Sequence, residues 1–281
     1  MSATDGVVPE VAATYDRAAP DYQRWWAPVI APAALRLLDL VAPLVAERPG
    51  ATIVDVGAGT GTLARAAVAR WPRVRAIAVD PSPGMLAVGR AEAARSLSRA
   101  ANRRLGWEAG PAEQLRFEAA SVDVVVSSFA LQYLPSRVAA LREAHRVMVP
   151  GGAVAVVTWL SGAVSFTPWR LFDEVLRELG VERPPSAETG LFRSLPSAAA
   201  LARRAGFHDV RAAAGVVDYQ WTLDTLVHCT LEFEEREVVD SLDPQSRGRL
   251  ERLWRRRIAS LAPADLRYRD AVAYVSGRRP G

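Results

Sequence analysis

Residues Val54–Leu63 read VDVGAGTGTL, and this stretch decides the fold. The run TIVDVG that leads into it is short, apolar and bounded by glycine, which predicts a buried strand. TLARAAVARW, directly after it, has its apolar residues at helical spacing. A strand, a glycine loop and a helix in direct succession form the opening unit of a sheet whose strands alternate with helices. Gly57, Gly59 and Gly61 let the backbone turn sharply and approach a ligand with no Cβ in the way. The free N–H groups where the helix begins favour an anionic group there.

The same rhythm runs outward over residues 50–160. VRAIAVD is a second predicted strand and GMLAVGRAEAARSLSRA a second helix. RLGWEAG, VDVVVSSFAL and GAVAVVTWL read as strands three to five, and the helix SRVAALREAHRVM before the fifth stops at Pro150, Gly151 and Gly152. Continuous apolar strands between helices indicate a sheet covered on both faces. Beyond it, FTPWRLFDEVLRELG and SAAALARRAGF read as helices, joined by the Pro-rich ERPPSAETG, and HDVRAAA and LRYRDAVAYVSGRRP as the last two strands. The fold class is therefore α/β, a Rossmann-like doubly wound seven-stranded sheet with N-terminal helices and a helical insertion before the last strand. We divide the chain into an N-terminal helical cap (1–48), a core (49–220), a helical insertion able to act as a lid (221–264) and a closing strand (265–281). Pro43 is expected to end or kink the amphipathic segment AALRLLDLVAPLV.

Bulk properties exclude several classes. One cysteine, Cys229, rules out an internal disulfide framework and a cysteine-rich metal site. The net charge of +4 is small for 281 residues, and it rests on arginine with no lysine. The run Arg252, Arg255, Arg256, Arg257 reads as a solvated helix face, which argues against a nucleic-acid partner. No stretch approaches the ~20 uninterrupted apolar residues of a membrane span. The N-terminus has neither the basic nor the apolar region of a secretory signal, so a cytoplasmic protein is expected, without a membrane partner.

The spacing of the glycines discriminates between cofactors. Dinucleotide loops have the pattern G-x-G-x-x-G, whereas here the third glycine comes one position early and Thr62 stands in its place. Asp55, inside the strand end, would repel a pyrophosphate but suits the cationic amino group of S-adenosylmethionine. Asp80 ends the second strand about 20 residues on, where a ribose-binding acid is expected.

At these residues the chain resembles class I S-adenosylmethionine-dependent methyltransferases, in particular the broad small-molecule group that includes the ubiquinone and menaquinone methyltransferases. The resemblance runs from about Tyr15 to Trp159. It implies a mostly parallel sheet whose last strand is antiparallel, and S-adenosylmethionine as cofactor. By the same resemblance Gly57, Ala58, Gly59 and Gly61 line its methionine part with Asp55 near the amino group. Asp80, with Pro81 next to it, holds the ribose, and Met85 lies on the adenine. Where the family has G-D-A-E, this chain has Gly110-Pro111-Ala112-Glu113, so adenine would rely on groups near Ala112 and Glu113. VVVSSFALQYL resembles the fourth-strand motif and puts Ser128 and Phe129 at the methyl-donor end. YDRAAPDY resembles the leading helix that folds over the cofactor, so that Tyr15 either reaches the methionine carboxylate or packs within that helix.

The acceptor is less legible. The cofactor brings the activated methyl group, so the protein mainly positions a nucleophile and excludes water, and no catalytic base is assigned. Tyr133, Trp159, Trp25 and His228 are the pocket candidates; the first two lie at strand ends that face the ligand crevice. The single cysteine argues against arsenic as acceptor, and no Asn/Asp-Pro-Pro-Tyr-type motif comes after the fourth strand. The expected reaction is methyl transfer to a small organic acceptor, at O, N or C. An RNA or protein acceptor, and a protein that binds the cofactor without transferring methyl, are the alternatives. A homodimer is left open.

Overall fold

A computed structural model describes residues 7–162, 166–183 and 191–281. In chain order the elements are α1 (Val7–Asp21), a π-helical turn (Tyr22–Trp26), α2 (Ala27–Glu47), β1 (Thr52–Val56), α3 (Thr62–Arg70), β2 (Arg75–Asp80), α4 (Pro83–Ser96), the short α5 (Arg99–Asn102) and β3 (Leu105–Ala109). Next come β4 (Val122–Ser128), α6 (Arg137–Val147), β5 (Met148–Trp159), α7 (Thr167–Leu179), α8 (Leu195–Arg204) and β6 (His208–Gln220). The insertion holds α9 (Leu223–Cys229), a second π-helical turn (Thr230–Glu234), α10 (Arg236–Asp240) and α11 (Pro244–Ala259), and β7 (Arg267–Arg278) closes the sheet.

The seven strands lie in the order β3-β2-β1-β4-β5-β7-β6, parallel except for β7, which runs antiparallel to both its neighbours. The Pro-Gly-Gly turn expected ahead of the fifth strand is drawn into β5 itself, with Gly151 at φ 76°. Side chains alternate between two cores, as a pleated strand requires. Ile53, Val124, Val126, Ala155 and Val157 face the layer of α2 and α3, whereas Val54, Val56, Val125, Val154 and Val156 face α6 and α8. Both faces of the central strands are therefore dry, which is why each reads as an unbroken apolar run.

The order reverses between β1 and β4. At such a switch point the loops leaving neighbouring strands part in opposite directions and open a crevice beyond the strand C-termini. Gly57 and Ser128 stand on its two sides.

Pro43 does not end the helix in which it lies: α2 runs on to Glu47 through both Pro32 and Pro43. Both prolines lie on its exposed face, so the carbonyls they leave without an N–H partner can be hydrated. The opposite face buries Val29, Leu37, Val41 and Leu44 almost completely; truncating one such leucine costs about 2–5 kcal/mol. Among the described residues one helical stretch, Val11–Glu47, is long and apolar enough to cross a membrane. Half of its most apolar window is buried inside the protein.

Candidate active site

The glycine loop is tied down from the next strand. Gly57 and Ala58 donate their N–H groups to the Val79 carbonyl at 2.9 and 3.0 Å. Gly59 N–H donates to Asp80 Oδ2 at 2.7 Å, and Ser82 N–H to Asp80 Oδ1 at 2.9 Å. Asp80 thus holds the loop and the start of α4 together. Burial pushes its carboxyl above the usual range, while the two N–H bonds pull it back. Each oxygen keeps a further lone pair, and Asp80 lines a cavity.

The three glycines all have positive φ, between 55° and 73°, yet they serve different neighbours. A Cβ on Gly61 would sit 2.6 Å from the Trp107 ring, so this glycine makes room for a packed indole. A Cβ on Gly57 would overlap Ala130. Gly59 is the one whose Cβ would meet cavity-lining side chains, with the Met85 methyl 3.1 Å from where it would lie and Tyr22 at 3.8 Å.

Asp55 is 1% exposed. Its Oδ2 accepts the Ala64 N–H at 3.2 Å, satisfying a donor in the first turn of α3. Its Oδ1 is buried with no hydrogen-bond partner among the described residues. Desolvation outweighs the one hydrogen bond and pushes the carboxyl up to about 7.

The far wall comes from β4 and β5. Phe129 carries φ 53°, an uncommon backbone for a residue with a side chain. The buried Gln132 holds that turn: its Nε2 donates to the Phe129 carbonyl at 2.6 Å, and its Oε1 accepts from Thr158 Oγ1 at 3.2 Å. The Phe129 ring then packs on Trp159, centroids 4.5 Å apart.

Above these walls lies α1. Asp16 Oδ1 accepts from Gly84 N–H at 2.6 Å and from Ser82 Oγ at 2.8 Å, latching α1 onto the first turn of α4. The Gly84 bond is the main reason its carboxyl lies below the usual range. Tyr15 donates its hydroxyl to Tyr133 Oη at 3.0 Å, and its ring meets Tyr22 edge-on at 5.8 Å. The cavity left beneath has a volume of about 110 Å³. Ligand pockets run to roughly 300–1,000 Å³, so this space on its own is smaller than a nucleoside site.

Of the residues expected at the site, Tyr15, Gly57, Gly59, Asp80, Pro81, Met85, Ser128, Phe129, Tyr133 and Trp159 share this one cavity wall. Asp55, Ala58, Gly61, Ala112 and Glu113 lie behind or beside it. Ala112 is in the core, and Glu113 Oε1 is buried without a hydrogen-bond partner among the described residues. Trp25 and His228 do not join the pocket. They stack on each other 5.1 Å apart at 5° and share Glu232, which accepts from Trp25 Nε1 at 2.7 Å and meets His228 Nδ1 at 2.6 Å. The π-helical turn is the cause: it puts Tyr22 and Trp26 on the cavity wall and leaves Trp25 against the insertion. Asp16, Ser82 and Tyr22 were not expected at the site. Of these, Asp16 and Tyr22 lie in the YDRAAPDY stretch, whose aromatic and acidic content was the available signal.

A second cavity of about 590 Å³ adjoins the first and shares Val11, Tyr15, Trp26, Tyr133 and Trp159 with it. Its remaining walls come largely from the insertion, including Phe233, Glu234 and Glu235.

A switch-point crevice with a glycine loop against a strand-end carboxylate is the arrangement that suits a nucleoside in an α/β fold, and comparison with known proteins gives the family. Residues 53–152 match the family of methyltransferase domains. Over 182 residues the chain is 35% identical to the ubiquinone/menaquinone biosynthesis C-methyltransferase UbiE of Rubrivivax gelatinosus, covering 63% of this chain and 67% of that one. The similarity to the protein of the same name from Dinoroseobacter shibae is 36% over 121 residues, 43% of this chain and 46% of the relative. The solved structure of YcgJ from Bacillus subtilis superposes with a TM-score of 0.56 at 19% identity, covering 88% of this chain and 99% of that one, a likeness of fold. The chain belongs to the class I S-adenosylmethionine-dependent methyltransferases.

S-adenosylmethionine is its cofactor, and the residues present suit it. Asp80 offers free lone pairs for two hydroxyls, Gly59 leaves the backbone open, and Met85 and Phe129 give apolar surfaces for flat or aliphatic parts. The orphaned Asp55 Oδ1 is an acceptor that a cationic amine would satisfy.

Proposed function

We propose that this enzyme methylates a small organic molecule in the second cavity, with the cofactor in the first. Bound S-adenosylmethionine supplies an activated methyl group on a sulfonium. The protein's part is to orient and to exclude water. Asp80 and the loop Gly57–Gly61 hold the nucleoside and methionine ends. Trp159, with Phe129 packed on it from the first cavity, walls the junction between the cavities, and Tyr15 and Tyr133 close it from above. On this reading residues 1–48 and 221–264 work as one cover over the core at 49–220 and 265–281. Arg236 Nη1 to Asp21 at 2.8 Å and Trp25 to Glu232 tie the two parts together.

The observation that carries this reading is the adjoining 590 Å³ cavity, which has the size of a small-molecule site. The basic run disfavours an RNA acceptor. Arg255 pairs with Glu251 and Asp224, and Arg257 with Glu174 and Glu178, so much of its charge is spent internally. The test is a screen of small acceptors scored by formation of S-adenosylhomocysteine and of a product heavier by one CH₂. Turnover of a small molecule supports the proposal, whereas turnover confined to RNA or protein refutes it.

A further inference from the structure

The second cavity contains one carboxyl group that its surroundings do not account for. Glu234 ends the π-helical turn of the insertion, which is closed by Glu235 N–H donating to the Thr230 carbonyl at 2.8 Å. This wider turn directs Phe233 and Glu234 to the cavity, while Glu232 faces Trp25 and His228 outside it. Glu234 receives one hydrogen bond, a long one of 3.4 Å from the Trp169 indole N–H.

No cation among the described residues lies within 4.0 Å of it. Two of the three arginines on the cavity wall are committed elsewhere. Arg183 binds Asp173 at 2.5 Å and Glu235 at 2.6 Å, and Arg236 binds Asp21 at 2.8 Å and Asp240 at 3.3 Å. The third, Arg17, is exposed on α1 and lines the same cavity, but it lies beyond ion-pair distance of Glu234. Desolvation pushes the Glu234 carboxyl up to about 7, with the Trp169 bond pulling down and Glu235 pushing further up. A carboxylate so placed is costly to keep charged without a counter-ion.

Aromatic rings surround the same space. Trp26, Phe233, Tyr15, Tyr133 and Trp159 line the cavity with Glu234. Trp169, the donor to Glu234, packs on Tyr268 at 5.3 Å, and Tyr268 in turn lies 6.0 Å from Trp26 and 6.5 Å from Trp159. Ring faces attract a cation and repel an anion. A lone carboxylate among aromatic faces is thus matched by a positively charged group with an apolar body. A neutral hydroxyl can only share a hydrogen bond with Glu234, whereas an ammonium group also supplies the counter-charge that this carboxyl lacks.

We propose that Glu234 and the surrounding rings bind a protonated amine, so that the acceptor is an amine-bearing molecule of about the size of one or two rings. This rests on the reading of the second cavity as the acceptor site. It also gives the insertion a role in specificity, since the recognising carboxylate belongs to the insertion and not to the sheet.

The test separates cofactor from acceptor. S-adenosylhomocysteine is first titrated calorimetrically into the full-length wild type, Glu234→Gln and Glu234→Asp. Tryptamine and phenethylamine, with their neutral counterparts tryptophol and 2-phenylethanol, are then titrated in its saturating presence. The expected result is equal S-adenosylhomocysteine affinity in all three proteins, with at least one amine bound tenfold or more tighter than its alcohol. Glu234→Gln should lose that preference, and Glu234→Asp should keep it. Equal affinity within each pair, an amine preference that survives Glu234→Gln, or no binding of any of the four while S-adenosylhomocysteine binds would each overturn the assignment. Failure of S-adenosylhomocysteine itself to bind the wild type would instead strike at the cofactor site.

Discussion

Replacing Asp55 by asparagine should make the ligand-free protein more stable and the cofactor complex weaker. The carboxyl is buried, one of its oxygens has no partner among the described residues, and its folded-state pKa of about 7 stands above the ordinary 3.8. Because the folded pKa is raised, the native state binds this proton more tightly than the unfolded chain. Stability is then greatest below the unfolded pKa. It falls as pH rises from about 4 to 7 and stays low above that. A gap of about 3 pH units at ~1.4 kcal/mol each gives a penalty of up to about 4 kcal/mol. Asparagine keeps the acceptor for Ala64 N–H and removes the charge. Urea unfolding of both proteins without ligand, at pH 5 and pH 8, reads the effect. The variant should exceed wild type at pH 8 by on the order of 1–4 kcal/mol, with most of the advantage gone at pH 5. Its S-adenosylhomocysteine affinity should fall by roughly tenfold or more, the scale of a lost hydrogen bond to a charged group. A variant less stable than wild type at pH 8, with an unchanged pH slope, would refute the reasoning and mean that Asp55 is charged and satisfied in the free protein.

The same geometry has other consequences. Asp16→Asn weakens the latch between α1 and α4, so S-adenosylhomocysteine should dissociate roughly tenfold faster in stopped-flow measurements, with little change in the melting temperature. Gly61→Ala meets both a positive φ and the Trp107 ring and should cost about 2–4 kcal/mol in urea unfolding, with the surviving folded protein still binding cofactor. Gly59→Ala meets only flexible Met85 and Tyr22 atoms. It should cost about 1–2 kcal/mol of stability and take most of its effect on S-adenosylhomocysteine affinity in calorimetry.

The seven strands and their alternation with helices were legible because a strand buried on both faces must be apolar throughout, as TIVDV and VDVVVSS are. The glycine loop and Asp80 were legible because a backbone that approaches a ligand restricts residue type at fixed spacing. Three features were not. Pro43 costs least where the carbonyl it frees can reach water, and its exposed side of α2 is set by tertiary packing. Which of Trp25 and Trp26 faces the site depends on a π-helical turn, which adds a residue and rotates the side chains beyond it; no local residue pattern announces it. Gly61 belongs to the glycine motif in sequence, yet its nearest neighbour is Trp107, a contact between β3 and the loop that only the folded sheet creates. Glu234 was missed for a similar reason. It is one acid among EFEERE, and only its place on the cavity wall beside Trp169 distinguishes it from its neighbours.

The central claim is that the crevice between β1 and β4 takes S-adenosylmethionine through Asp80 and the glycine loop. Thermal unfolding with S-adenosylhomocysteine, NAD and ATP in parallel, on wild type and Asp80→Asn, tests it most directly, since a ligand that binds only the native state raises the melting temperature. The account predicts a rise with S-adenosylhomocysteine alone, and its loss or sharp reduction in Asp80→Asn. Stabilisation by NAD instead, or an undiminished S-adenosylhomocysteine shift in the folded variant, would contradict it.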